Sequence, residues 1–219
     1  MIRFKQAALA LSLCAATFFS GPLAHGQAVY TVNSGQAAFV QDMGGDTYKS
    51  RYFGMTFQIP DGWDVSSERD TRNLLSIGED LVAGDDNTLR ADMERQNAQA
   101  LPILHVVKLD NGINLSAMAE RLEPGVENLS GSDYFDSMRK LGAQSATPID
   151  FESDYSARMI GGRRFTKMNG SISLDNGLTV QQNYYALSIG NYMVSLIATY
   201  VNPSQKAALD QMIENIRFD

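Results

Sequence analysis

Hydrophobic positions change their period several times along this chain, and each change marks an element. Met55, Phe57 and Ile59 alternate with Gly54, Thr56 and Gln58, the period of a half-buried strand. Pro60-Asp61-Gly62 supplies a preset φ, a side-chain acceptor and a residue tolerant of positive φ. The chain is therefore expected to turn there and return as a second strand of one hairpin, with Trp63 and Val65 on one face. Helical spacing follows, with Leu74, Ile77 and Leu81 on one face and Leu75 and Val82 beside it, until Gly84-Asp85-Asp86 breaks the run. The stretch 87–100 has only Leu89 and Met93 as a stripe, which predicts a mostly solvated helix closed by Pro102. ILHVVKL, residues 103–109, reads as a compact apolar strand. Asn114 then reads as the N-cap of a helix carrying Leu115, Met118, Ala119 and Leu122 and stopped at Glu123-Pro124-Gly125. Another helix is expected after Ser132, with Tyr134, Phe135, Met138 and Leu141 apolar and Gly142 as its stop.

The remainder predicts an antiparallel meander. Strands over 155–160, 163–174, 178–189 and 192–201 are separated by Gly161-Gly162, Asp175-Asn176-Gly177 and Gly190-Asn191, all turn chemistry. YMVSLIATYV is apolar on both faces, so it should lie centrally and be covered twice. A last helix can supply one cover: Asn202 caps it, Pro203 takes the first position, Gln205 can reach back, and Leu209, Met212, Ile213 and Ile216 form one stripe. Together these elements define an α+β fold in which helices pack on an antiparallel β-sheet.

The N-terminus changes the picture of where this fold works. A basic head, MIRFK, precedes an apolar run of secretory length that is too short for a spanning helix. Residues 1–28 are read as a signal peptide, cleaved after Gly26 or Ala28, which makes the protein periplasmic or secreted. Lipidation at Cys14 is disfavoured by bulky Leu13 before it. Residues 29–47 read as a leader and 48–219 as one domain. Cleavage removes Arg3, Lys5 and the only cysteine, so the net charge moves from −7 to −9 and no disulfide can form within the mature chain. An acidic exported chain is a poor nucleic-acid binder. No transmembrane segment is expected in the mature chain.

Several of these motifs carry a resemblance. A Tyr48-x-x-x-Tyr52-Phe53-Gly54 lead into the alternating strand and Pro60-Asp61-Gly62-Trp63 opens it. Ile160-Gly161-Gly162-Arg163-Arg164-Phe165, Gln182-x-Tyr184-Tyr185-Ala186, Gly190-Asn191-Tyr192 and the closing Ile216-Arg217-Phe218 follow a helical middle. The arrangement, over about residues 48 to 218, resembles the PsbP-like fold superfamily. That superfamily is named for an extrinsic photosystem subunit and includes a Ran-binding nuclear transport factor, bacterial envelope proteins and lipoproteins, and chaperones of secreted effectors. The resemblance implies an α/β/α sandwich used mostly as a non-catalytic binding or assembly module. The signal peptide argues against the cytoplasmic and nuclear branches.

Candidate chemistry is sparse. His105, the only histidine after cleavage, sits mid-strand without a recognisable Ser or Cys partner and reads as a satisfied core residue whose loss alters stability. Asp85, Asp86, Asp92 and Glu94 lack the spacing of a calcium loop and read as a solvated turn and helix face. Arg163 and Arg164 after two glycines have the composition of an anion grip but no helix start behind them. The strand TVQQNYYAL offers a candidate interaction surface of Gln181, Asn183 and Tyr185, amides beside an aromatic ring suited to a peptide or sugar. Trp63, with Pro60 and Gly62, reads as a structural anchor of the hairpin, and Trp63→Ala is expected to cost about 3 to 5 kcal/mol. No cofactor or metal is called for. The function expected is a non-enzymatic binding or assembly module of the envelope with a protein or peptide partner. The alternatives are an exported hydrolase using paired carboxylates and a carrier of a small apolar ligand.

Overall fold

The computed structural model describes residues 43–44, 46–108, 112–126, 128–146, 148–174 and 176–219. The expected signal peptide and most of the expected leader lie outside the described residues. In chain order the first half contains β1 (Met43–Gly44), β2 (Thr47–Ser50), β3 (Met55–Gln58), β4 (Asp64–Val65), α1 (Glu68–Ala83), α2 (Asn87–Asn97), β5 (Leu101–Lys108) and β6 (Ile113–Arg121). There follow α3 (Gly131–Gly142), β7 (Asp150–Phe151), β8 (Ser156–Ile160), β9 (Arg163–Ser173), β10 (Thr179–Ile189), β11 (Tyr192–Tyr200), α4 (Pro203–Glu214) and β12 (Arg217–Phe218). An eight-stranded antiparallel sheet runs β4-β5-β6-β11-β10-β9-β7, with β8 also paired to β9, and a small sheet runs β1-β2-β3-β12.

The meander forms as its turns require. β10 pairs with β11 from Gln181↔Tyr200 to Ile189↔Tyr192, and β9 with β10 from Thr179↔Ser173 to Ala186↔Thr166. β11 lies between β6 and β10 and is buried on both faces from Tyr192 to Thr199. One face packs on α1, α2 and α3 through Leu74, Val82, Met93, Phe135, Met138 and Tyr184. The other packs on α4 and the small sheet through Phe57, Ile103, Leu115, Leu196, Met212 and Ile213. The result is the expected α+β sandwich, with one cover shared between a helix and a second sheet.

Helix α4 starts as its sequence dictates. Asn202 accepts from the Gln205 amide at 3.0 Å, and the Gln205 side chain reaches back to accept from the Val201 amide at 2.8 Å. Helix α3 begins two residues earlier than expected, at a Ser130–Asp133 capping box. At Gly161, φ is 55° and an added Cβ would stand 2.7 Å from Phe218 and 3.0 Å from the Ile216 carbonyl oxygen. Gly161→Ala is expected to destabilise the protein by about 2 kcal/mol in urea unfolding, because the strained φ and the clash act together.

Four expectations are corrected. The segment 113–121 is strand β6, not a helix capped by Asn114, whose side chain instead donates to the Gly112 carbonyl at 3.2 Å. A strand covered on both faces shows no period of two, and its apolar run mimics helical spacing. Pro102 lies inside β5, tolerated at a register shift between Pro102 and Leu104. Ordered pairing begins before residue 48, since β1 pairs with β2 and β2 with β3.

The fourth correction concerns the opening hairpin. Pro60-Asp61-Gly62 does turn, with Gly62 at φ 78° and the Trp63 amide donating to the Pro60 carbonyl at 3.3 Å. However, β3 belongs to the small sheet, beside β2 and β12, while β4 pairs with β5 in the large one. The turn therefore passes the chain between sheets. Trp63 is half-buried against the cluster formed with the small sheet and α4, not against α1 to α3. Its truncation to Ala is accordingly expected to cost about 1 to 2 kcal/mol, in proportion to its partial burial, and a urea midpoint corresponding to more than about 3 would restore a core role.

Candidate functional site

The strand surface expected at Gln181, Asn183 and Tyr185 is not open. β10 is flanked by β9 and β11 and covered on this face by α4, so Asn183 and Tyr185 are 2% and 0% exposed and Gln181 is half-buried. Asn183 accepts from the Tyr200 hydroxyl at 3.3 Å, and burial pushes the Tyr185 phenol up to about 12. On the opposite face the Tyr184 hydroxyl donates to Gln182 at 2.5 Å, and Gln182 donates to Thr199 at 3.2 Å. These amides and rings satisfy each other inside the protein.

His105 does have a serine partner, Ser116 on β6, with Nδ1 2.7 Å from its hydroxyl oxygen. The sequence hides this pairing because the apolar spacing of residues 115–122 predicts a helix around Ser116. Both residues are sealed, at 4% and 1% exposed, so the pair has the contacts of a nucleophile and its base without access to a substrate. Burial lowers the imidazole to about 4 and keeps it neutral at physiological pH.

Of the acidic residues 85, 86, 92 and 94, Asp85 and Glu94 are exposed and two serve a helix. Asp86 caps α2 by accepting from the Thr88 and Leu89 amides, and Asp92 pairs with Arg95. Among the described residues, no group of three or more His, Cys, Asp or Glu side chains is arranged to hold a metal ion. Arg163 and Arg164 are both exposed on alternate sides of β9, and the Arg163 guanidinium lies over the Phe218 ring at 4.8 Å.

The chemically unusual place lies elsewhere, where the end of α2 meets the end of β6. Asp92, Arg95, Gln96, Gln99, Glu120, Arg121 and Glu123 line a cleft of about 100 Å³. Glu120 is 6% exposed, and no hydrogen bond of normal geometry reaches either of its carboxyl oxygens. Burial drives its carboxyl up to about 8, an effect tempered by the Tyr134 hydroxyl of α3, so Glu120 is largely a neutral acid at pH 7. The side-chain oxygen of Gln96 is buried there too, again without a partner. Nearby between α1 and α2, Asn97 donates to Glu79, whose carboxyl burial also raises. Arg121 stands opposite Tyr192 across the β6–β11 ladder, and Tyr192 stacks edge-on with the half-exposed Tyr52, ring centres 5.6 Å apart.

Sequence reasoning missed Glu120 because it fell at the tail of an expected amphipathic helix, where a carboxylate would be solvated. A lone acid closing the run Leu115 to Ala119 becomes informative once that run is read as a strand covered twice.

Neither a family model nor a curated protein matches the sequence. Among solved structures, the element order and the two covers on one antiparallel sheet define a PsbP-like fold. The particular likeness is to the solution structure of cyanobacterial PsbP, CyanoP, from Synechocystis. It covers 91% of this chain and 100% of that one, with a TM-score of 0.50 and 12% sequence identity. LpqN, involved in cell envelope biogenesis of Mycobacterium tuberculosis, matches over 74% of this chain and 82% of its own, with a TM-score of 0.44 and 14% identity. At such identities the likeness concerns the fold alone. Among the described residues, no helix is long and apolar enough to cross a membrane.

Proposed function

We propose that this protein is an exported, non-enzymatic binding or assembly module of the cell envelope, and that its partner docks where α2 meets β6. Export rests on the basic head and apolar run of residues 1–28. The single observation that supports docking is the Glu120 cleft, where a buried acid of raised pKa lies among the exposed charged groups Arg95, Arg121 and Glu123. At about 100 Å³ the cleft is several-fold below the size of a small-molecule site, which favours a protruding group of a larger partner. The half-exposed Tyr52 ring beside Tyr192 adds an aromatic surface across the strand end from it. Among the described residues, Tyr184, Phe135, Met118 and Met193 pack together between the sheet and the helices, which counts against a carrier.

Affinity capture from envelope extract after chemical crosslinking tests the reading. A defined partner should be recovered with the wild-type chain and should diminish when Gln99 and Arg121, both on the rim of the cleft, are replaced by Ala. Recovery of no specific partner counts against the reading.

One observation favours the hydrolase alternative. Glu120, a neutral acid near pH 7, shares its cleft with the carboxylates Asp92 and Glu123. A hydrolase would lose turnover in Glu120→Gln on a panel of glycoside and peptide substrates, whereas a binding module turns over none of them.

A further inference from the structure

The rim of the cleft carries a cation that the rest of the described residues leave unused. Arg95 is committed to Asp92, Arg139 to Asp136, and Arg158 to Asp210 and Glu214. Arg121, exposed at the end of β6 and lining the cleft, makes no side-chain hydrogen bond or ion pair among the described residues. Glu123 on the same rim stays out of ion-pair contact with it.

An exposed ring stands at the same corner. Arg121 faces Tyr192 across the β6–β11 ladder, and Tyr52, Phe53 and Tyr192 meet edge to face with centres 4.9 to 5.6 Å apart. Phe53 and Tyr192 are buried, so they fix a Tyr52 ring that is itself 48% exposed. Burial and then Tyr52 raise the Tyr192 phenol while Arg121 lowers it, which puts the exposed ring and the guanidinium on either side of one hydroxyl. Tyrosine and arginine are the residue types that most often anchor protein interfaces.

We infer that this corner seats an acidic side chain of the partner protein, its carboxylate on the Arg121 guanidinium and a neighbouring apolar residue against the Tyr52 ring. The planar fork of a guanidinium matches a carboxylate with two parallel hydrogen bonds. A single uncommitted cation suits one negative charge, whereas an anionic membrane surface is read by a cluster of about four to eight Lys and Arg side chains. A chain terminus is ordinarily captured by a nest of backbone N–H groups, while the donor at this corner is a side chain, so the source is an aspartate or glutamate. The inference rests on the reading of this cleft as a docking site, and it names the chemistry of what docks.

The test is NMR titration of the isotope-labelled full chain with the blocked peptides acetyl-Leu-Glu-Leu-amide and acetyl-Leu-Gln-Leu-amide. Saturable shifts at Tyr52, Arg121 and Tyr192 are expected, with the glutamyl peptide bound about fivefold more tightly, the effect of one partly desolvated ion pair. Two variants separate the contacts. Arg121→Gln should remove the preference for glutamate over glutamine, and Tyr52→Ser, at an exposed turn position that leaves the fold intact, should weaken both peptides alike while keeping the preference. In the captured complex, Arg121→Lys supplies an amine that a carbodiimide condenses with a touching carboxylate, releasing water and leaving an amide to an Asp or Glu side chain of the partner. Equal affinity for the two peptides, a preference that survives Arg121→Gln, tighter binding of inorganic phosphate, or an amide formed only at the partner's C-terminus overturns the inference. If no peptide binds and no amide forms while partner capture still depends on Gln99 and Arg121, the docking reading stands and the acidic side chain is lost.

Discussion

Glu120→Gln should make the protein more stable above pH 8, by up to about 5 kcal/mol, while leaving it almost unchanged near pH 4.5. The sign follows from where the proton is held. Burial raises the folded-state carboxyl from 4.5 to about 8, so the folded chain binds this proton more tightly than the unfolded chain does. That contribution to stability is fully present below pH 4.5 and is lost as pH rises through 8. Glutamine keeps the shape of the neutral acid and cannot ionise, which flattens the alkaline limb. Urea unfolding between pH 4.5 and 9 checks it; parallel wild-type and variant profiles would mean that Glu120 is solvated and charged.

His105 acts in the opposite direction. Its imidazole falls from 6.5 to about 4 on folding because burial opposes the charged form. The unfolded chain therefore takes up the proton first as pH falls, and about 3 kcal/mol of stability present above pH 6.5 is lost by pH 4. Glutamine at this position retains a polar partner for Ser116 and should remove that loss. The two groups offset each other between pH 4.5 and 6.5. The wild type should thus show a broad plateau there, Glu120→Gln a curve that rises to pH 6.5 and stays level, and His105→Gln a curve that falls steadily towards pH 8. An unchanged acidic limb in His105→Gln would show that His105 is not the group responsible.

What could be read from the sequence was what short-range chemistry encodes. Glycine turns at 161–162, 177 and 190 mark the meander because these turns need positive φ, and Asn202-Pro203 with Gln205 marks the start of α4. What could not be read depends on partners distant in sequence. Residues 113–121 carry apolar spacing compatible with either period, and only the neighbours β5 and β11 decide for a strand. The Pro60-Asp61-Gly62 turn was visible, but its crossing from one sheet to the other was not, since alternation reveals a strand and not its mate. The same limit hid the site. Tyr185 looked like a surface residue until α4 covered it, and Glu120 looked solvated until β6 placed it against the helices.

Docking at the end of α2 and β6 is tested most directly by placing a photo-crosslinking residue at position 99, on the exposed rim of the cleft, and irradiating intact cells. The control is the same residue at position 159, where Met159 is 62% exposed on β8, across the sheet from the cleft. A defined adduct from position 99 alone, weakened when Glu120→Gln is added, is the expected result. No adduct, or equal adducts from both positions, would contradict a partner seated at this cleft.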